Sequence, residues 1–171
     1  DSREATFFNR IVRLCEDRLE LEADPRHARE IVRSMGVEMA KTVATPIVKE
    51  EGATATEELP PLDRQRAATF RSACMRAAYL SMDRYDIQYC AKEAAREMHC
   101  PTERGWSILK RLARYLRGKP RLVVEFRRQQ QPQKVDIYSD SDHAGCKRTR
   151  KSTSSSVIMH GSHPIKTVSA T

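Results

Sequence analysis

The segment between Pro101 and Pro120 places the strongest constraint on what this chain can fold into. Thr102 follows the first proline and Gly118 closely precedes the second, residue types that open and close helices. At about 100° per residue, Trp106, Leu109, Leu112, Ala113 and Leu116 fall within about 120° of one another. Arg104, Lys110, Arg111, Arg114 and Arg117 fall within about 140° on the other side. A helix over 102–117 must therefore bury one face against other elements while the opposite face is almost purely cationic. None of these basic residues has a carboxylate three or four positions away, so the helix does not relieve its own repulsion. Such a face is either an ordinary solvated surface or a contact for a polyanion.

The rest of the chain supplies partners for the apolar face. Phe70, Ala73, Cys74 and Ala77 share one side of a helix expected over 64–81. Ile87, Cys90, Ala91, Ala94 and Met98 share one side of another over 84–98, with Asp83 as its cap. Upstream, alternation through Phe7–Leu14, resumed at Leu19 and Leu21, reads as a β-hairpin. A helix follows, with Asp24 at its N-cap, Pro25 in its first turn and Gly36 past its end. Residues 41–63 combine Pro46, Gly52, Pro60 and Pro61 with acidic pairs, without apolar periodicity, and read as an extended linker. Beyond Gly118, strands are expected at Leu122–Phe126, 135–140, 153–160 and 164–170, joined by turns short enough for antiparallel pairing. The expected class is α+β: a hairpin plus helix over 1–40, a linker over 41–63, a three-helix region over 64–118, and antiparallel strands over 119–171.

Charge is concentrated. The net charge is +8 over the whole chain, and residues 101–134 alone carry 10 Lys/Arg against 2 Asp/Glu. A local block of this kind points to a polyanionic partner. No apolar run approaches the roughly 18 residues that span a bilayer, so no membrane partner is expected. Five cysteines, an odd number without a Cys-x-x-Cys pair, read as reduced thiols in an intracellular protein, cytoplasmic or nuclear.

One stretch carries candidate chemistry. Asp136-Ile137-Tyr138-Ser139-Asp140-Ser141-Asp142-His143-Ala144-Gly145-Cys146 reads as a short strand that delivers Asp140 and Asp142 to its end and breaks at Gly145. Carboxylates at a strand tip suit Mg²⁺, which takes oxygen ligands and needs one or two of them from the protein. The same residues also suit a solvated turn, and spacing alone leaves both readings open. His160 and His163 have zinc-like spacing but no cysteine pair beside them, and read as solvated histidines of a hairpin.

Several segments together resemble the copia-type retrotransposon polyproteins. Tyr138 with Asp140 and Asp142, then Ala144-Gly145 and Lys151-Ser152-Thr153-Ser154, are similar to the opening of that family's RNase H domain. Tyr79-Leu80-Ser81-Met82-Asp83-Arg84-Tyr85-Asp86-Ile87, Met98-His99-Cys100-Pro101-Thr102 and Trp106-Ser107-Ile108-Leu109-Lys110-Arg111-Leu112-Ala113-Arg114-Tyr115-Leu116-Arg117-Gly118 resemble upstream segments in the family's order. Leu21–His27 and Thr45-Pro46 also fit. The chain departs from the pattern at His143, where the family has Trp, and at Tyr85, where it has Pro.

The resemblance implies a parent that copies RNA into DNA and degrades the RNA of the hybrid. Residues 1–117 would then belong to the end of the reverse transcriptase and a connecting region, and the strands beyond to a truncated RNase H-like domain. Asp140 would be a catalytic, metal-holding residue, Asp142 a second metal position, and Mg²⁺ the cofactor of the parent. Lys110, Arg111, Arg114 and Arg117 would contact nucleic acid, an RNA–DNA hybrid or a duplex. No paired aspartates and no following glutamate helix occur in these residues, so the segment itself is expected to bind without catalysis. Two other readings stay open: a non-catalytic nucleic-acid-binding module, and a protein-interaction piece that uses the basic helix.

Overall fold

The computed structural model describes residues 3–48, 59–146 and 149–171. Its helices are α1 (Pro25–Ser34), α2 (Arg64–Leu80), α3 (Gln88–Ala95, entered through a 3₁₀ turn at Tyr85–Ile87) and α4 (Glu103–Gly118). Its strands are β1 (Arg3–Phe7), β2 (Arg10–Leu14), β3 (Arg18–Glu22), β4 (Val123–Arg127), β5 (Val135–Ser141), β6 (Ser154–His160) and β7 (His163–Ala170). The chain is α+β with two antiparallel sheets, ordered β1-β2-β3-β4 and β5-β6-β7. It divides into a helical unit, Pro25–Arg121, and a sheet unit formed by Asp1–Asp24 with Leu122–Thr171. This grouping differs from the one expected along the sequence. α1 packs with α2 and α4, while β4 pairs with β3.

The helical unit is built on small residues. Ala73, Ala77, Ala91, Ala94 and Ala113 are buried beside Phe70, Ile87, Leu109, Leu112 and Leu116, and short side chains let helices approach closely. Gly105 belongs to the same design, because a Cβ there would lie 3.0 Å from the Phe70 ring. Asp63 caps α2, its Oδ1 accepting from the amides of Gln65 and Arg66 at 2.9 Å each. The helix expected over 84–98 is broken: α3 begins only at Gln88, the 3₁₀ turn starts after Arg84, and neither start has a side-chain cap. Trp106, expected in the core, is half-buried and carries the Arg66 guanidinium 4.6 Å over its ring. Ile108 and Tyr115 are buried instead. None of the five cysteines is in a disulfide, and burial pushes the Cys74 thiol up to about 11 and the Cys90 thiol up to about 12, so neither of these two is a reactive thiolate.

The largest fully buried side chain of the unit is charged. Arg84 is 1% exposed. Its Nε and Nη2 donate to Asp86 at 2.9 and 2.7 Å, and Nη1 and Nη2 donate to the carbonyls of Pro120 and Lys119 at 3.2 and 3.1 Å. The Tyr115 hydroxyl donates to the same Asp86 carboxylate at 2.8 Å. The turn before α3 is thereby tied to the last turn of α4 and its exit.

The sheet unit has no comparable interior. Among its described residues only Glu22, Ala23 and Asp24 are buried. β1 was not expected as a separate strand. It joins β2 through a two-residue turn in which Phe8 and Asn9 take φ of 47° and 62°, as a type I′ hairpin requires. A phenylalanine in that region is uncommon, and the usual glycine signal is missing. Arg13 crosses the sheet, bonding Glu4 on β1 at 2.7 Å and Glu22 on β3 at 2.9 Å. In β5-β6-β7 apolar side chains occupy both faces. Ile137 is paired across from Ile158 on one face, and Tyr138 from Val157 on the other. Ile137, Tyr138 and Ile165 remain well exposed.

The buried network generates a test. Burial alone would raise the Asp86 pKa, but the hydrogen bonds from Arg84 and Tyr115 and the Arg84 charge outweigh it and hold the carboxyl below its usual value. Its contribution is therefore full above the unfolded-state value, about 3.9, and is lost as pH falls through the lower folded value. In urea unfolding, Asp86→Asn should flatten the loss of stability below about pH 4. Arg84→Met should destabilise the chain by about 3–5 kcal/mol at neutral pH, because it leaves Asp86 without its partner.

Candidate nucleic-acid interface

The cationic face of α4 is where the wheel count puts it, but its side chains are not free rotors. Residues 38–45 run along this face; of these, 41–45 were expected as the start of an extended linker and 38–40 as the end of the segment before it. Arg111 donates from Nη2 to the Thr45 hydroxyl at 3.0 Å, and Arg114 from Nε to the Lys41 carbonyl at 2.7 Å. Arg117 donates from Nε to the Glu38 carbonyl and from Nη1 to the Ala40 carbonyl at 2.8 Å. Every one of these acceptors is neutral. The guanidinium positions are held, and their charge is not cancelled.

The four predicted residues differ in access. Lys110 and Arg117 are exposed, whereas Arg111 and Arg114 are half-buried. The Arg111 Nε is buried and has no acceptor among the described residues. Arg104, on the same face, is ion-paired with the buried Glu97 at 3.2 Å. Lys110 and Arg117 therefore form the accessible part of the row, with Arg111 and Arg114 as its inner members.

The acidic candidates are brought to one end of β5, where Asp140 pairs across from Ser155 and is exposed. Asp142 lies just past the strand. Its Oδ1 accepts from the amides of Thr153 at 2.8 Å and Gly145 at 3.1 Å, so this carboxylate closes the 142–153 loop. Gly145 makes the fold-back possible: a Cβ there would lie 2.2 Å from Asp142 Oδ2. Around Asp140 the surface is an open depression lined by Ser139, Ser141, Ser154, Ser155 and Ser156. Hydroxyls are weak ligands for a hard cation compared with carboxylates. Among the described residues no group of three or more His, Cys, Asp or Glu side chains is placed to hold a metal ion. The donors at this strand end do not fit a two-metal centre, which needs carboxylates converging from several elements.

His160 and His163, expected as solvated, are engaged. His160 Nε2 lies 3.3 Å from the Pro132 carbonyl, and His163 Nε2 lies 2.7 Å from the Arg127 carbonyl. Gln129 adds bonds to the His160 carbonyl at 2.9 Å and from the Ser162 amide at 2.9 Å. The pair fastens the glutamine-rich connector to the β6-β7 hairpin. No helix of the described residues is long and apolar enough to cross a membrane.

Known proteins resemble this chain in sequence. It is 30% identical over 142 residues to a retrovirus-related Pol polyprotein from transposon RE2 of Arabidopsis thaliana, a match that covers 82% of this chain and 9% of the relative. It is 38% identical over 87 residues to the corresponding polyprotein from transposon RE1 of the same plant, covering 51% of this chain and 6% of the relative. An uncharacterized mitochondrial protein of that plant, AtMg00810, is 32% identical over 130 residues, covering 75% of this chain and 51% of the relative. No family model matches the chain, and no solved structure does. The chain thus spans about half of one curated relative and under a tenth of the two others. It is a relative of retrotransposon Pol polyproteins and corresponds to a short stretch of them.

Proposed function

We propose that this stretch runs from the end of a copia-type reverse transcriptase, through a connecting region, into the first strands of an RNase H-like domain. Its own task in that polyprotein is to grip the sugar–phosphate backbone of an RNA–DNA hybrid or duplex, inside the cell in cytoplasm or nucleus, and it does no chemistry. The observation that carries the reading is the arginine row of α4, held in place by neutral acceptors and not by carboxylates. Cations on one helix face meet a backbone and not base edges, so binding carries little sequence preference. The two-faced apolar sheet β5-β6-β7 supports the RNase H-like part. Residues such as Ile137 and Tyr138, on opposite faces, call for cover on both sides, which further polyprotein segments would supply. Mg²⁺ belongs to that completed domain. The residues present here do not form its site, and no catalytic step is assigned to Asp140 in this chain.

Titration of a labelled RNA–DNA hybrid at several salt concentrations tests the grip. With four cations each neutralising one phosphate, log K against log salt should have a slope of about −3 to −4. Changing Lys110, Arg111, Arg114 and Arg117 together to Gln should weaken binding across all sequences and flatten that slope. Among single variants, Arg117→Gln and Lys110→Gln should cost most affinity and Arg111→Gln least, following their access. Unchanged affinity in the quadruple variant would favour the other reading, an acidic protein surface docking on the same helix.

A second test concerns hydrolysis. Residues 1–171 should not cleave the RNA of a labelled hybrid in Mg²⁺ or Mn²⁺. Cleavage that vanishes in Asp140→Asn would show that other carboxylates complete a site around it.

A further inference from the structure

We infer that residues 38–45 are a positioning strap for the cationic face of α4, so that ordering of the strap and binding of a phosphate backbone reinforce each other. This rests on the nucleic-acid reading above and adds a control element to it. The strap is anchored at both ends. Val37 is buried before it, and after it the Pro46 carbonyl accepts from the Cys90 thiol at 3.4 Å. Between these anchors, the strap carbonyls of Glu38, Ala40 and Lys41 and the Thr45 hydroxyl are the acceptors of the arginine row. The strap also packs closely on the end of α4: a Cβ at Gly118 would lie 3.0 Å from Thr42 Cβ. Gly118 is needed there for approach, in addition to ending the helix.

Two physical features decide between a strap that prepares the arginines and one that blocks them. The first is charge. Within 38–45 the only charged side chains are Glu38 and Lys41, which cancel, and the acceptors used are neutral. A blocking segment would compete with phosphate most effectively through carboxylates. The second is donor number. A guanidinium has five N–H donors, of which Arg114 spends one on the strap and Arg117 two. Arg117 stays exposed. An arginine already held in place loses less rotamer freedom when it meets a phosphate than a free one does. By linkage, a ligand that binds better when the strap is in place must also stabilise the strap.

The test uses the whole 171-residue chain and a labelled mixed-sequence RNA–DNA hybrid. Gly118→Leu forces the strap off α4 without changing any charge. A second variant, with Thr42, Val43, Ala44 and Thr45 all changed to Gly, loosens the strap and leaves α4 untouched, and carries the test if the first fails to fold. Folded variants, judged by helical circular dichroism, should bind the hybrid roughly tenfold more weakly, because three arginines must then be ordered on binding. The salt slope should stay that of the parent, since the cations are intact. Hydrogen exchange at 38–45 in the parent chain should slow when hybrid is added. Affinity equal to or above the parent's in a folded variant, or exchange at 38–45 that is unchanged or faster with hybrid, overturns the strap. A parent chain that binds no hybrid overturns the nucleic-acid reading itself, a result distinct from binding that ignores the strap.

Discussion

The helical unit depends on a guanidinium removed almost completely from water. Burying an unpaired charge costs several kcal/mol, and Arg84 is tolerated because each side of its fork finds an acceptor. Asp86 takes one side and the carbonyls of Lys119 and Pro120 take the other. Those carbonyls lie just beyond the end of α4, where helices leave acceptors without partners. The Tyr115 hydroxyl, one turn back on α4, completes the shell of the carboxylate. One buried cation thus fixes where α4 ends and how α4 is rotated against the turn before α3. That rotation sends Leu109, Leu112 and Leu116 inward and leaves Lys110, Arg114 and Arg117 toward solvent and the segment 38–45.

The two units hold together by different physics. The helical unit buries Phe70, Ile87, Leu109, Leu112 and Leu116 among alanines, a dry interior in which dispersion and the hydrophobic effect act together. The sheet unit relies on backbone ladders and cross-strand charge pairs such as Arg13 with Glu4 and Glu22. The pair to Glu4 is exposed on the carboxylate side and contributes little, whereas the Glu22 carboxylate is buried. An exposed two-faced apolar sheet of three strands is the sort of surface that associates with further chain. The sequence matches cover 82% and 51% of this chain and 9% and 6% of the two polyprotein relatives.

Helix positions were largely legible because period and caps are local. Pro25, Gly118 and the stripe from Leu109 to Leu116 all carry signals within one or two turns. The hairpin turn at Phe8-Asn9 was not, since phenylalanine gives no sign of positive φ and Asn9 is a weak signal without a glycine after it. The pairing of β4 with β3 joins residues about a hundred positions apart, which no local pattern encodes. In the candidate site, the cations of α4 could be read from charge alone. Their acceptors could not, because backbone carbonyls of 38–41 look the same in every sequence. Asp142 shows the converse. Its residue type and spacing suit a metal or a turn, and its oxygen is committed to the Thr153 and Gly145 amides, a turn contact that spacing alone could not choose. His160 and His163 were misjudged for the same reason as the arginines, since the carbonyls that hold them lie on a distant connector.

The account turns on one claim: the arginine row of α4 meets phosphates directly while the segment 38–45 holds it in place. Side-chain NMR of the chain with isotope-labelled arginine observes those groups themselves. The account predicts distinct, slowly exchanging Nε–H signals for Arg114 and Arg117 in the free chain, and shifts concentrated on these two when RNA–DNA hybrid is added, while Arg84 stays unmoved. Shifts spread evenly over surface arginines such as Arg29 and Arg127, with Arg114 and Arg117 unchanged, would contradict it.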